Sequence, residues 1–356
     1  MIYAYTRQNF GDDLFVKLLC ERYPETSFWI YTDPTYRRTW RTNKNLKVFS
    51  NRNVIAKGIN FIGNLLGKMN AYEHILAKCC DACVYIGGSL FIQGPEWENN
   101  LCYTKTRQVE GKPFYLLGVN FGPYSEQKFF EKYNEWFATL EDICFREMSS
   151  YRLFSHLKNT RCEKDIILSY KPSMSAGEQK KVAVSVIEPA RREKLCDFAN
   201  GYYEGLSRIC RYMYRMGYQI HLVSFCSPEG DDDAMKRLTS KLADCAEVTC
   251  STYSDNLDHV IEVFQTSEYI IASRFHAMIL GWILGKKVLP VVYSDKMTHV
   301  MEDLGYQGMS TTIESLGNFD ETKVTEILRA YNYIDMEQTR KEAGKQFAKL
   351  DTFLGK

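Results

Sequence analysis

Glu268-Tyr-Ile-Ile-Ala-Ser273-Arg274-Phe-His276-Ala-Met-Ile-Leu-Gly281-Trp-Ile-Leu-Gly285 is the stretch that decides the fold. Tyr269 to Ala272 is a short apolar run rich in β-branched residues. The apolar positions then fall at helical spacing, and Gly285 stands where a helix must stop before a second apolar run, Val288 to Tyr293. The order is strand, helix, strand, with Ser273 in the place of an N-cap. Polar groups at such a junction face the crevice at the strand's carboxyl end, where the first backbone N–H groups of the helix and its partial positive charge favour anions. Arg274 adds a planar fork suited to phosphate or carboxylate, and His276 adds a side chain that exchanges protons near neutral pH. Lys296, just past the next strand, reaches the same crevice. Two readings stand for the first pair: a grip on an acidic small molecule, or an arginine paired with a neighbouring carboxylate beside a satisfied first-turn histidine. The three residues together favour the first.

Outward from this stretch the alternation continues. Val182 to Ile187, Gln219 to Phe225 and Glu247 to Thr249 read as strands, separated by helices over Lys194 to Met216, Ala234 to Leu242 and Leu257 to Thr266. Asp231-Asp232-Asp233 reads as a helix N-terminus in water, without the spaced carboxylates of a calcium loop. Ser169 to Lys181 lacks apolar periodicity and is the best linker in the chain. Before it come strands at Ile2 to Thr6, Phe28 to Thr32, Ala82 to Ile86, Pro113 to Gly118 and Ile143 to Phe145, with Lys164 to Leu168 closing this half. The pattern predicts an α/β protein of two Rossmann-like parallel-sheet domains facing a cleft, residues 1–172 and 181–335. Val324 to Tyr331 and Met336 to Phe353 read as terminal helices, with 336–356 packing back on the domain junction.

The first half has its own polar strand ends. Gly11 can make a tight turn into a helix that Asp12 caps, which leaves one of Asp12 and Asp13 to face the cleft as a base. Gly87-Gly88-Ser89 lets backbone N–H groups approach a ligand, and Asn120 follows the next strand. Arg146, with Ser149 as the cap after it, sits beside an anion or braces a neighbour. Trp97, in the polar loop Gln93 to Asn100, is a platform for a sugar ring or tucks under its own domain. Tyr36 to Arg41 is a basic and aromatic loop at the surface, and Asn53 to Lys68 is an apolar-spaced helix whose charges are too few for a membrane-surface helix.

The totals exclude several classes. With 45 Lys plus Arg against 44 Asp plus Glu in 356 residues, there is no bulk field to attract nucleic acid, so any anion site is local. The opening Met1 to Arg7 is too soon polar for a signal peptide, and no stretch approaches the roughly 18 apolar residues of a membrane span. The expected location is cytoplasmic, at most peripheral to the inner face of a membrane. Twelve cysteines, most of them inside apolar runs (Cys144, Cys196, Cys210, Cys226), read as buried thiols, and Cys80-Asp-Ala-Cys83 lacks a second ligand pair for zinc.

The ordered set Gly11-Asp12, Gly87-Gly88-Ser89, Gly122-Pro123, Arg146 with Ser149, Ser273-Arg-Phe-His-Ala277, then Tyr293 and Lys296, resembles the polysaccharide pyruvyl transferase family over most of the chain. Two departures stand out: Ile86 where many members have a third glycine, and Asn120-Phe121 in place of a more glycine-rich version. The resemblance implies a fold like two-domain glycosyltransferases of the GT-B type. It also implies transfer of the enolpyruvyl unit of phosphoenolpyruvate to two hydroxyls of a sugar, as a cyclic ketal, in capsule or exopolysaccharide synthesis. Arg274, Arg146, Lys296 and the helix start at Ser273 would hold the donor, with His276 as the acid. Asp12 or Asp13 would accept the hydroxyl proton, and Gly87, Gly88, Ser89, Asn120 and Trp97 would face the acceptor. The scheme needs no metal and no cofactor; whether the acceptor is lipid-linked stays open. The rivals are a GT-B glycosyltransferase with a nucleotide-sugar donor, and a non-catalytic sugar-binding relative.

Overall fold

The computed structural model describes residues 1–173, 177–330 and 334–356. Part of the expected linker, and Tyr331 at the end of one expected helix, therefore lie outside the described residues. By its internal contacts the chain divides into two compact units. One is Met1–Thr6, Asp12–Ser169 and Lys341–Lys356; the other is Arg7–Gly11 and Tyr170–Arg340.

The first unit is built on a parallel sheet of seven strands: β1 (Ile2–Ala4), β2 (Phe28–Thr32), β3 (Leu46–Ser50), β4 (Cys83–Ile86), β5 (Phe114–Val119), β6 (Asp142–Phe145) and β7 (Thr160–Cys162). Their order is β3-β2-β1-β4-β5-β6-β7. Strands with helices on both faces must be apolar throughout, and β5 and β6 are buried at every position. Phe91, Phe121, Phe129, Trp136, Phe137 and Phe154 fill the space between sheet and helices, mostly in edge-to-face pairs. The stretch Lys164 to Leu168 that closes this half ends in a short 3-10 segment at Ile166–Ser169.

Gly118 interrupts β5 with φ +74°, and the register with β6 shifts there. The amide this frees is taken by the chain's far end: Gly118 N donates to Gln346 Oε1 at 3.0 Å, while Gln346 Nε2 donates to the carbonyls of Phe145 and Glu163. Gln346 is wholly buried and satisfied on both sides, so the closing segment is stitched into this unit by a side-chain amide acting as a piece of ladder.

The second unit repeats the plan with six parallel strands: β8 (Gln179–Ser185), β9 (Gln219–Ser224), β10 (Val248–Thr252), β11 (Ser267–Ala272), β12 (Lys287–Val292) and β13 (Thr311–Thr312). Their order is β10-β9-β8-β11-β12-β13. In both units the order reverses direction between the first and fourth strands, so a crevice opens at the carboxyl ends of β1 and β4 and of β8 and β11. The helix Phe275–Ile283 packs on β11 and β12 through Gly281, where an added Cβ would come within 2.6 Å of Val288. Every residue of that helix is buried except His276, which is half-exposed.

Candidate functional site

Ser185 ends β8 directly opposite Ala272 at the end of β11. Its hydroxyl oxygen accepts the amides of Ser273 (3.0 Å) and Arg274 (3.2 Å), which holds the turn from strand to helix in one shape. Ser273 is not the cap. Arg274 occupies that position without a side-chain cap bond, and the Ser273 hydroxyl, fully buried, accepts from Tyr202 Oη at 3.1 Å. Ser273 thus acts as a brace beneath the turn, which rules out direct contact with a ligand in this arrangement.

Arg274 spends three of its five donors on carboxylates. Nε donates to Asp231 Oδ2 at 2.8 Å, Nη2 donates to Asp231 Oδ1, and Nη1 donates to Glu229 Oε2. The carboxylate-paired alternative for this arginine therefore holds, and the residue is 7% exposed. Asp231 is no solvated helix start. It is completely buried, and it also accepts the amides of Phe225 and Cys226 after β9. Sequence spacing hid this, because three consecutive aspartates look alike until one turns inward.

Arg192 joins the group from the segment after β8. Its Nη2 donates to Glu229 Oε2 at 2.9 Å and its guanidinium carbon lies 4.9 Å from the centre of the Tyr293 ring. Lys296, in the helix Asp295–Asp303, has its Nζ 5.4 Å from the ring centres of both Tyr293 and Phe275. Arg192 lies five residues past Ile187, the expected end of its strand, and the strand-end rule applied to Arg274 would have found it. Three cations (Arg192, Arg274, Lys296) against two carboxylates (Glu229, Asp231) leave one positive charge at the crevice end of β8, β9, β11 and β12.

Two neighbouring groups lie in that field. Burial alone would raise the Tyr293 phenol, yet Lys296, Arg192 and Arg274 outweigh it and hold the phenol below its usual value. Burial would likewise raise Glu229, and Arg274, Arg192 and Lys296 bring it down to about 2. Beside these groups, the His276 ring stands edge-on to Phe275, 5.0 Å between centres.

Gly11 serves this corner too. A Cβ on Gly11 would lie 1.7 Å from His276 Nδ1, so only a bare backbone can run past the imidazole. The helix Phe10–Arg22 is capped by Asn9, whose Oδ1 accepts the Gly11 amide at 3.0 Å. Asp12 does not cap; it and Asp13 lie inside the first turn, and both are buried.

In the first unit, Gly88, Ser89, Asn120 and Arg146 come together at the ends of β4, β5 and β6. Arg146 Nη2 donates to Asn120 Oδ1 at 2.7 Å and to Ser89 Oγ at 3.4 Å, and Nη1 donates to Asp165 Oδ2 at 3.0 Å. A Cβ on Gly88 would sit 2.4 Å from Nη1, so that glycine makes room for the guanidinium. A Cβ on Gly87 would first meet the flexible end of the Leu90 side chain, at 2.9 Å. Ser150, not Ser149, is the structural serine here: buried, it accepts the Phe121 amide and donates to Glu147 Oε1. Trp97 is buried against Phe129 and offers no platform. Tyr36 and Trp40 are also buried, stacked 4.7 Å apart, so that segment presents arginines and no aromatic ring.

All twelve cysteines are free; Cys196, expected inside, is exposed. Among the described residues, no group of three His, Cys, Asp or Glu side chains is placed to hold a metal ion.

Residues 9–295 match the sequence pattern described as polysaccharide pyruvyl transferase. The chain belongs to that family. The matched span runs from the Asn9 cap to Asp295 and so takes in both polar clusters except Lys296. This pyruvyl transferase family member is 24% identical over 299 residues to the amylovoran biosynthesis protein AmsJ of Erwinia amylovora, covering 74% of this chain and 69% of that one. In fold it is similar to a UDP-N-acetylglucosamine 2-epimerase from Rickettsia bellii, with TM-score 0.56, 14% identity, and 99% and 94% of the two chains covered. It is also similar to the E. coli ADP-heptose lipopolysaccharide heptosyltransferase II, with TM-score 0.50, 12% identity, and 92% and 97% covered. At such identities the likeness concerns fold alone: two parallel-sheet α/β domains of the GT-B kind. Family membership makes the protein a transferase of polysaccharide biosynthesis.

Proposed function

We propose that the protein transfers the enolpyruvyl unit of phosphoenolpyruvate to two hydroxyls of a sugar in a polysaccharide or its precursor, forming a cyclic pyruvate ketal. The observation that carries this reading is the cationic corner of the second unit, where Arg192, Lys296 and the carboxylate-locked Arg274 gather around Glu229 and Tyr293, with the half-exposed His276 two residues past Arg274 in the chain. A phosphate and a carboxylate on a three-carbon frame need cations in fixed directions. An arginine clamped by Asp231 and Glu229 is oriented before the substrate arrives.

In the reaction, His276 as imidazolium gives its proton to the methylene carbon, and C2 becomes an oxocarbenium-like centre. A sugar hydroxyl adds to C2 and gives its proton to the now-neutral His276, which regenerates the imidazolium. The C2–O bond to phosphate then breaks, inorganic phosphate leaves, and the second hydroxyl closes the ring while its proton passes to a base. Asp12, next in the chain after the glycine that borders His276, is the carboxylate we assign to this proton; the more deeply buried Asp13 is the alternative. Ser89, Asn120 and Arg146 of the first unit are assigned to the acceptor's hydroxyls.

The test has two parts. Thermal stabilisation by phosphoenolpyruvate but not by UDP or GDP is expected, and the reverse would favour a nucleotide-sugar donor. Incubation with phosphoenolpyruvate and a panel of model or lipid-linked glycosides should release phosphate and add the mass of one pyruvate ketal. His276→Ala should lose at least about 100-fold in rate while still being stabilised by the donor; full activity in this variant would remove histidine from the acid's role.

A further inference from the structure

Half of the large apolar side chains exposed among the described residues lie between Val54 and Ile75. They are carried chiefly by the helix Val54–Leu65, within the stretch whose apolar residues fall at helical spacing. The helix is docked by its small residues instead. Ala56 and Gly63 are its buried positions, and a Cβ on Gly63 would come within 2.5 Å of Ala71. Asn60 faces the same way, accepting the Tyr72 amide at 2.9 Å and donating to Tyr31 Oη at 3.3 Å. The opposite face carries Val54, Ile55, Phe61, Ile62, Leu65 and Leu66, between 57% and 82% exposed. At 100° per residue these six span about 140° of the helix, a continuous stripe roughly 18 Å long with no charge on it.

The charge around the stripe identifies its partner. From Pro34 to Tyr72 the chain has eight Lys and Arg and no Asp or Glu, in a protein whose net charge is +1. All eight are exposed. Arg52 precedes the helix, Lys57 lies on its flank and Lys68 follows its last turn, while Arg37, Arg38 and Arg41 project from the short helical segment beside buried Trp40. Arg52 is paired with Asp33 at 2.6 Å. Large aliphatic and aromatic side chains standing outward, rimmed by cations with aliphatic stems long enough to keep their charge in the headgroup layer, match a bilayer surface of anionic lipid. A protein partner would need acids around an apolar groove. A second copy of this chain would bring the same cations into opposition.

We propose that the helix Val54–Leu65 is a monotopic membrane contact, lying in the plane of an anionic leaflet with Phe61 and Leu65 at its centre. No helix among the described residues is long and apolar enough to cross a membrane, so the contact is one of lying on the surface. It departs from the sequence reading, in which the helix's own charges were too few, because six of the eight cations precede the helix in the chain. The inference is independent of which group the enzyme transfers.

The full-length protein should co-sediment with phosphatidylcholine vesicles containing about one-third phosphatidylglycerol, roughly ten-fold or more tighter than with phosphatidylcholine alone, and less so as salt is raised. Phe61→Ser with Leu65→Ser should abolish sedimentation at an unchanged melting midpoint, since both side chains stand in solvent. Lys57→Gln with Lys68→Gln should narrow the difference between the two lipid compositions. Wild-type protein that stays in solution with anionic vesicles overturns the proposal. So does a double serine variant that sediments as well as wild type, or a wild-type dimer in light scattering that the same serines dissociate.

Discussion

Each unit places an arginine at the carboxyl end of its sheet, and the two arginines are held differently. Arg146 meets one carboxylate, Asp165, and two neutral oxygens, on Asn120 and Ser89. Arg274 meets two carboxylates, and a second arginine and a lysine stand near one of them. The first is a neutral, hydrogen-bonded cluster suited to orienting hydroxyls. The second keeps a surplus positive charge suited to an anion. The same fold motif thus yields two chemistries according to how many acids lie within reach.

The largest expected effect tests that difference in stability. Arg274→Ala leaves Asp231 buried with no cation. It should cost toward the upper end of about 3–5 kcal/mol in denaturant unfolding, with Arg146→Ala toward the lower end. Equal losses would mean that the second carboxylate adds nothing to the fold. Arg274→Lys keeps the charge but not the fork and should fall between wild type and alanine.

Next come the two glycines that make room for functional side chains. Gly11→Ala forces the His276 ring aside and should lower turnover about 100-fold with little change in donor binding. Gly88→Ala forces Arg146 aside and should raise KM for the acceptor while leaving stabilisation by phosphoenolpyruvate intact. A Gly11→Ala enzyme with wild-type turnover would show that His276 need not stand where it does.

The smallest effect concerns pH. The Tyr293 phenol loses its proton below its usual pKa because Lys296, Arg192 and Arg274 outweigh burial. At lower pH it is neutral and the cations act undiminished. As pH rises through the lowered value, a phenolate cancels part of their charge, so KM for phosphoenolpyruvate should climb earlier than unperturbed tyrosine titration allows. In Tyr293→Phe this early climb should be absent, and a profile identical to wild type would place Tyr293 outside the donor's field.

Several elements were legible because they depend on neighbours in sequence. The strand–helix–strand order around Ser273, the helix Leu257–Thr266 and the strand Phe28–Thr32 follow from periodicity over a few turns. The strands β3, β7 and β13 escaped notice because each lies at the edge of its sheet and is only partly buried, so it lacks the continuous apolar run of a central strand. Trp97 was left open and Asp231 misplaced for a common reason: a bulky or charged residue in a polar run reads as exposed until a distant partner is known. The partners here are Phe129 and Arg274.

By itself the amino-acid order determined the α/β class, the two sheets and the strand ends where chemistry gathers, because hydrophobic period and turn residues act locally. Tertiary structure alone decided which acids clamp Arg274, that Arg192 joins it, that Gln346 repairs the gap at Gly118, and that the apolar face of Val54–Leu65 points outward. Pairing and exposure depend on groups brought close by the chain's path through space, which no local pattern of residues encodes.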